Sequence, residues 1–238
     1  MSTLQNISKT IEVDSAKENS LARREAQLRD ELVEFGHNLR AQGFVVATDG
    51  NLSARLDSER IIISPAGIDK AKMKPADMIV VNAAGEKLAG WARPSSESAM
   101  HLTIYNMRPD VGAIIHAHPY TATAFASVGI ALDKPLCPEV VLTLGSVPLA
   151  PYATPGSSEL SESLKPFIRD HQAILMGNHG VVTFAKDLVH AYMCMETVEH
   201  YAKIEFLARQ LGGQRLLSQS ELKQLRETKS HYLDSSTV

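Results

Sequence analysis

Two histidines spaced two apart close an apolar run, Ala113-Ile114-Ile115-His116-Ala117-His118-Pro119. Such a run reads as a buried strand, and residues two apart on a strand face the same side, so both imidazoles are expected to point at one place. As a pair alone they fit a metal site or two satisfied polar residues near a strand end equally well, because imidazole serves many roles. Two further residues bear on the choice. His179 stands in Gly177-Asn178-His179-Gly180, a break between two apolar runs, where flanking glycines let a side chain sit at a sheet edge without crowding. Glu97 follows Pro94-Ser95-Ser96, a helix start from which a carboxylate can face inward on a rigid element. Three neutral imidazoles and a carboxylate make a donor set suited to Zn2+, with Mn2+ or Co2+ as the other divalent choices.

The other chemistry-bearing residues read as ordinary. His37, His190 and His200 fall on helices, His101 on the helix after Glu97, and His171 and His231 in polar surroundings; each is expected at the surface or in the core. Schiff-base chemistry needs an isolated lysine in an apolar pocket, whereas Lys70, Lys72 and Lys74 share a polar run. The acidic residue that follows His-x-His in a cupin is missing from Pro119-Tyr120-Thr121-Ala122-Thr123, and the long helical segments oppose an all-β barrel.

The elements that must position these groups follow from periodicity and breakers. From Ala22 the apolar residues Leu28, Leu32, Phe35 and Leu39 recur at helical spacing, with Gly43 as the stop. Strands are expected at 52–56, 61–64 and 78–81, joined as antiparallel hairpins through Asp57-Ser58-Glu59 and Ala84-Gly85-Glu86. A helix opens at Pro94-Ser95-Ser96-Glu97, with the serines as caps, and runs to about Met107. After the His-x-His strand come a buried helix over 119–128, strands at 140–143 and 147–152, a helix from Pro155-Gly156-Ser157-Ser158, and strands at 173–176 and 181–184. A long helix then buries Leu188, Ala191, Met195, Val198, Ala202 and Phe206 on one stripe and stops at Gly212-Gly213. An amphipathic segment, 217–232, closes the chain. Several strand pairs lie too close in sequence for helical crossovers, so a mixed, mainly antiparallel sheet covered by helices is expected.

The chain has 238 residues, 44% of them hydrophobic and 21% charged, enough for a sizeable core. Residues 1–20 are expected to form a flexible N-terminal arm and 21–238 a single domain, since no repeat or linker divides them. A net charge of −3 without a basic block gives no electrostatic reason for nucleic acid or an anionic membrane as partner. Cys137 and Cys194 form no CxxC, which favours a reduced compartment. No signal-like or membrane-spanning run occurs, so the protein is expected in the cytoplasm and the sequons at Asn6 and Asn51 are chance matches.

Five motifs in register carry a resemblance: Gly50-Asn51-Leu52-Ser53, Ser64-Pro65-Ala66-Gly67, Ser95-Ser96-Glu97, His116-Ala117-His118 and Asn178-His179-Gly180. In order and spacing they resemble the class II aldolase/adducin family, which includes fuculose-phosphate aldolases, over about residues 22 to 232. The resemblance implies a three-layer α/β/α sandwich and a homotetramer with its sites near subunit interfaces. It also implies that Glu97, His116, His118 and His179 hold a divalent metal, with Glu97 leaving it to act as acid and base when substrate binds. Gly50, Asn51, Gly67, Ser95 and Ser96 become the phosphate site, because backbone N–H groups and hydroxyls can cradle a phosphate; singly, each also reads as a turn or cap residue. Ala66 departs from the Ser or Thr usual in that loop.

The expected reaction is that of a class II aldolase, a carbon–carbon lyase. A ketose 1-phosphate of the fuculose or deoxyribulose type would be cleaved through a metal-stabilised enediolate to dihydroxyacetone phosphate and an aldehyde. Glu139 stands where fuculose-phosphate aldolases have a catalytic tyrosine, and Tyr232 matches the family's terminal proton-donating tyrosine; both are candidates at the aldehyde end. A decarboxylase, dehydratase or epimerase of the same family is the alternative, although the epimerases carry Asp at the position of Glu97. A non-catalytic, adducin-like scaffold is the more distant one, since those heads lack the full metal set.

Overall fold

The computed structural model describes residues 2–227, with side chains described from residue 18. Its centre is a mixed eight-stranded sheet in the order β4-β3-β2-β1-β5-β8-β7-β6. The strands are β1 Asn51–Arg55, β2 Arg60–Ile63, β3 Ile79–Asn82, β4 Lys87–Ala89, β5 Ala113–Ala117, β6 Leu149–Ala150, β7 Ala173–Met176 and β8 Gly180–Ala185. Neighbours pair antiparallel except β6 with β7, which run parallel. The helices are α1 Ser2–Ala41, α2 Ser98–Met107, α3 Tyr120–Ser127, α4 Pro138–Thr143, α5 Ser158–Ile168, α6 Leu188–Gln210 and α7 Gln219–Glu227.

Period-two alternation sorts the central strands between two cores. Ala113, Ile115 and Ala117 of β5, Leu175 of β7 and Val181 of β8 pack with α1, α3 and α6 on one face. Ile114, Ile174, Val182 and Phe184 point the other way, onto α2 and α5. With helices on both sides, the architecture is the expected α/β/α sandwich. This double burial explains why the central strands read as unbroken apolar runs.

Several boundaries depart from the sequence reading. The first helix begins at Ser2, upstream of the expected Ala22. The strand expected at 140–143 is α4, started by Pro138 in its first turn with Glu139 beside it, a pattern that favours a helix N-terminus over a β-branched pair's strand preference. The strand at 147–152 shrinks to β6. The edge strand β4 is the second arm of the hairpin expected at Ala84-Gly85-Glu86, and periodicity assigns it no range of its own because its three residues carry no apolar alternation and are all exposed. Phe206 falls off the buried stripe of α6 and is 49% exposed, whereas Leu188, Ala191, Met195, Val198 and Ala202 are buried. The serine cap appears instead at α5, where Ser157 Oγ accepts from Leu160 N–H; the residue capping α2 is Glu97.

Helix α6 also fixes the chain just after His118. The buried carboxylate of Glu199 accepts from the backbone N–H groups of Thr121 (3.0 Å) and Ala122 (2.9 Å) in the first turn of α3, where helix polarity favours negative charge. Among the described residues no helix is long and apolar enough to cross a membrane.

Ile114, fully buried at the middle of the sheet, tests the two-core arrangement. Ile114→Ala is expected to lower unfolding free energy by about 2–5 kcal/mol through lost burial and cavity formation. Urea unfolding measures this directly, and a loss near zero would contradict the packing.

Candidate metal centre and phosphate cavity

Strands β1, β5 and β8 lie side by side, and their adjoining ends carry the chemistry. His116 on β5 pairs across with Asn51 of β1 and Val182 of β8. Its Nδ1 donates to the Val181 carbonyl at 2.9 Å, which turns Nε2 toward the open end of the sheet. His118 follows at the strand end, with its backbone N–H held by Phe44 O at 2.8 Å. The two Nε2 atoms stand 3.1 Å apart.

His179 enters from the turn between β7 and β8. Asn178 takes the left-handed conformation there (φ 52°), which asparagine tolerates, and its N–H bonds Ala126 O at 3.2 Å to tie the turn to α3. Gly180 is demanded by the close approach. A Cβ at that position would lie against His118 Cδ2 and 2.7 Å from Ala117 O.

Glu97 caps α2 by its backbone position, yet its carboxylate makes no capping bond. The carboxylate turns into the sheet end and is only 7% exposed. Oε2 lies 3.2 Å from His116 Nε2 and Oε1 lies 3.2 Å from His179 Nε2. Asn51 Nδ2 donates to Oε2 at 2.8 Å. Burial opposes ionisation of Glu97, but the neighbouring His116 and His179 outweigh it and hold the carboxyl well below the usual carboxylate range. Burial likewise opposes charge on His116, and the Glu97 carboxylate overrides it, raising that pKa. His118 behaves oppositely: burial, then repulsion from His116 and His179, lowers it to about 3.

The donor set fits a divalent cation. One ring nitrogen from each of His116, His118 and His179 falls within 4.8 Å of the others. Glu97 Oε1 and His179 Nδ1 are buried without a hydrogen-bond partner, and two imidazole Nε2 atoms face each other at a distance where at most one can carry a proton. A cation reconciles converging lone pairs that hydrogen bonds leave in conflict.

In front of this cluster opens a cavity of about 390 Å³. Every residue expected at the phosphate, Gly50, Asn51, Gly67, Ser95 and Ser96, lines it together with Glu97, His118 and His179. Gly50 sits at φ +71°, and a Cβ there would come within 2.6 Å of Val45 and 2.8 Å of His116 O, so the loop can approach the histidine strand only as glycine. Asn51 lines the cavity, but its side-chain amide is committed to Glu97 and His101. Ala66 lines it as well, without a hydroxyl.

Other residues lie apart from the cavity or emerge only from the structure. Glu139 is exposed on α4, where it borders a separate hollow with Cys137, Glu196 and His200. Tyr232 lies outside the described residues. His101, read from sequence as an ordinary helix histidine, is fully buried with Nε2 2.5 Å from Asn51 Oδ1. Its place four residues after Glu97, on the same helix face, was the available signal. Lys70 is a correction: it is 1% exposed, not part of a solvated run. Its ammonium donates to Thr48 O (3.3 Å) and Ile68 O (3.2 Å), joining the two loops that line the cavity, and burial lowers its pKa to about 8 against the pull of Asp49 and Asp69. Lys70 does not itself line the cavity, which leaves the Schiff-base route without a nucleophile there. Asp49 stands at the rim, 3.8 Å from His118 Nδ1.

The family described as "Class II Aldolase and Adducin N-terminal domain" matches residues 30–206. This chain belongs to the class II aldolase/adducin family. Among its relatives is a 5-deoxy-D-ribulose 1-phosphate aldolase from Bacillus thuringiensis serovar kurstaki, 32% identical over 83% of this chain and 92% of the relative. A 3-oxo-tetronate 4-phosphate decarboxylase from Escherichia coli K12 is 33% identical over 87% of this chain and 99% of the relative. The solved structure of an L-fuculose 1-phosphate aldolase superposes with a TM-score of 0.79 at 33% identity, covering 85% of this chain and 95% of that one. Class II aldolases use a divalent metal, and the His116, His118 and His179 group can bind one.

Gly180→Ala is expected to push His118 out of line and lower the metal bound per chain well below that of the unsubstituted protein, as read by elemental analysis after dialysis. Retention of full metal would contradict the close packing. His101, like His118, has its pKa lowered to about 3, by burial first and then by His116, so in metal-stripped protein both remain neutral when folded. At these two sites the unfolded chain binds more protons between pH 6.5 and about 3, while His116, raised, offsets one of them. Urea midpoints of metal-stripped protein are therefore expected to fall from about pH 7 to about pH 5. Constant or rising midpoints would contradict this.

Proposed function

We propose that this chain is a metal-dependent aldolase that cleaves a ketose 1-phosphate of the fuculose or deoxyribulose type to dihydroxyacetone phosphate and an aldehyde. One observation carries the reading. A single buried carboxylate, Glu97, touches both His116 and His179 at the floor of a cavity whose rim is built from Gly50, Gly67, Ser95 and Ser96. Charge-stabilising and proton-transferring groups therefore stand next to a polar rim of the kind that holds a phosphate.

His116, His118 and His179, with Glu97, would hold the cation, and three nitrogens with one oxygen favour Zn2+, with Mn2+ or Co2+ as substitutes. When bound, that cation supplies Lewis-acid stabilisation of negative charge developing beside the substrate carbonyl. The protein's own groups do the rest. The hydroxyls of Ser95 and Ser96 and the backbone N–H groups of the Gly50 and Gly67 loops bind the phosphate. Asn51 steadies Glu97, and its loop contributes to the same rim. Glu97 returns a proton to the carbon of dihydroxyacetone phosphate after cleavage and removes it in the reverse direction, a task for a carboxylate held close to the reacting carbon. The exposure of Ala66 at the rim supports a phosphate grip with one hydroxyl fewer than a Ser or Thr there would provide. At the aldehyde end we assign Tyr232 to take the proton of the C4 hydroxyl in cleavage and to donate it to the aldehyde in condensation, with Glu139 as a second acid–base group. Glu139 stands away from the Glu97 cavity of its own chain, so the role proposed for it requires a neighbouring subunit of the cytoplasmic homotetramer to bring it to that cavity.

The relationship to a 3-oxo-tetronate 4-phosphate decarboxylase supports a second reading, in which the same groups stabilise the carbanion left by loss of CO2. Product identity separates the two. Metal-loaded protein incubated with fuculose 1-phosphate, 5-deoxyribulose 1-phosphate and 3-oxo-tetronate 4-phosphate is expected to release dihydroxyacetone phosphate from at least one of the ketose phosphates. CO2 release alone would overturn the aldolase reading in favour of the decarboxylase, and no product from any of them would sink both. Glu97→Gln is expected to keep metal on the three histidines while turnover drops by about 10²–10⁴.

A further inference from the structure

Behind Glu97 and Asn51 runs a buried line of side chains, His101, Ser53 and Tyr105, that this chemistry leaves without a task. Tyr105 OH lies 2.9 Å from Ser53 Oγ, and Ser53 Oγ lies 2.7 Å from His101 Nδ1. His101 Nε2 lies 2.5 Å from Asn51 Oδ1, and Asn51 Nδ2 lies 2.8 Å from Glu97 Oε2. Among the five residues Glu97 is the most exposed, at 7%. Two elements build the line. Asn51 and Ser53 share one face of β1, and Glu97, His101 and Tyr105 recur every fourth residue along the facing side of α2. Arg55 closes the outer end, stacked 4.6 Å from the Tyr105 ring centre with its guanidinium on Tyr105 O at 3.0 Å.

Only one placement of hydrogens satisfies every member. The Glu97 carboxylate accepts, so Asn51 turns its NH2 toward it and its carbonyl oxygen toward His101. That oxygen accepts in turn, so His101 carries its proton on Nε2. Nδ1 is then a bare lone pair, which makes Ser53 the donor to it and Tyr105 the donor to Ser53. Burial keeps His101 neutral, which is the state the line requires. Turning any one residue around would set two donors or two lone pairs against each other away from water, a conflict worth more than the bond itself.

We propose that His101, Ser53 and Tyr105 are positioning residues that act through the Asn51 amide to hold Glu97 by Oε2, leaving Oε1 as the oxygen that takes up and returns the proton. The inference rests on the acid–base role proposed for Glu97. The two oxygens already differ in the structure: Oε2 accepts from Asn51 and lies 3.2 Å from His116 Nε2, while Oε1 lacks an amide donor and faces His179 Nε2 at 3.2 Å. Without His101 the Asn51 amide loses what tells its oxygen from its nitrogen, and half of its orientations would set a carbonyl against the carboxylate.

Two measurements test the line. Nitrogen-15 NMR of the histidine rings in the full-length protein, metal-loaded and metal-stripped, is expected to show His101 neutral with its proton on Nε2 from about pH 6 to about pH 8. A proton on Nδ1, or a charged ring, would overturn the proposal. In turnover, His101→Leu is expected to lower kcat about 10–100-fold, the range of lost outer-shell support, with bound metal unchanged and KM within about three-fold. His101→Gln, which keeps a donor for Asn51, is expected to recover most of the loss. An unaltered kcat in folded His101→Leu, or no recovery in folded His101→Gln, would also overturn it. The ring measurement needs neither a substrate nor a folded variant. If no sugar phosphate is turned over, the acid–base reading fails while the tautomer still decides the direction of the line.

Discussion

A carboxylate taken out of water must be compensated where it lies, and the arrangement around Glu97 is organised by that requirement. Glu97 stands at the start of α2, where its side chain could have capped the helix, but it enters the sheet end. Three compensations meet it there: His116 from the central strand, His179 from the β7–β8 turn, and the Asn51 amide from β1. Each comes from a different part of the chain. The antiparallel register that pairs His116 with Asn51 and Val182 is therefore also what keeps a buried charge tolerable.

Close approach sets the second layer of constraints. The histidine strand end is crowded by backbone from both sides, and Gly50 and Gly180 occupy the places where a Cβ would collide with it. Asn178 supplies the left-handed backbone that swings His179 inward, and Glu199, reaching from α6, anchors the helix that begins two residues after His118. On the cavity side, the buried ammonium of Lys70 bridges the carbonyls of Thr48 and Ile68 and so joins the two glycine loops from behind. These devices belong to one design in which small residues permit proximity and buried polar side chains make it rigid.

Some of this was legible along the chain because it depends on local periodicity. The apolar runs of β5, β7 and β8 reveal buried strands whichever core they face. The His-x-His spacing places two imidazoles on one side of a strand, and the glycines around His179 mark a turn. Other features were illegible or misleading for equally physical reasons. Val140 and Val141 suggest a strand, but Pro138 and the helix-start chemistry beside it decide otherwise. Lys70 reads as solvated because its neighbours in sequence are polar, whereas its neighbours in space are carbonyls of loops closed by distant contacts. His101 looked like a spare helix histidine until Asn51 and Ser53 were seen to face it.

By itself the sequence determined the residue types of the centre, the strand and helix periods that aim them, and the glycines that let backbones meet, since each is encoded within a few neighbouring positions. Only the tertiary structure decided which carboxylate oxygen is held, that Asn51 serves Glu97 and His101 with its side chain, that Lys70 is buried, and that Glu139 stands outside the Glu97 cavity. Those outcomes depend on register and packing between segments tens of residues apart, where a hydrogen bond is selected by what else is buried beside it.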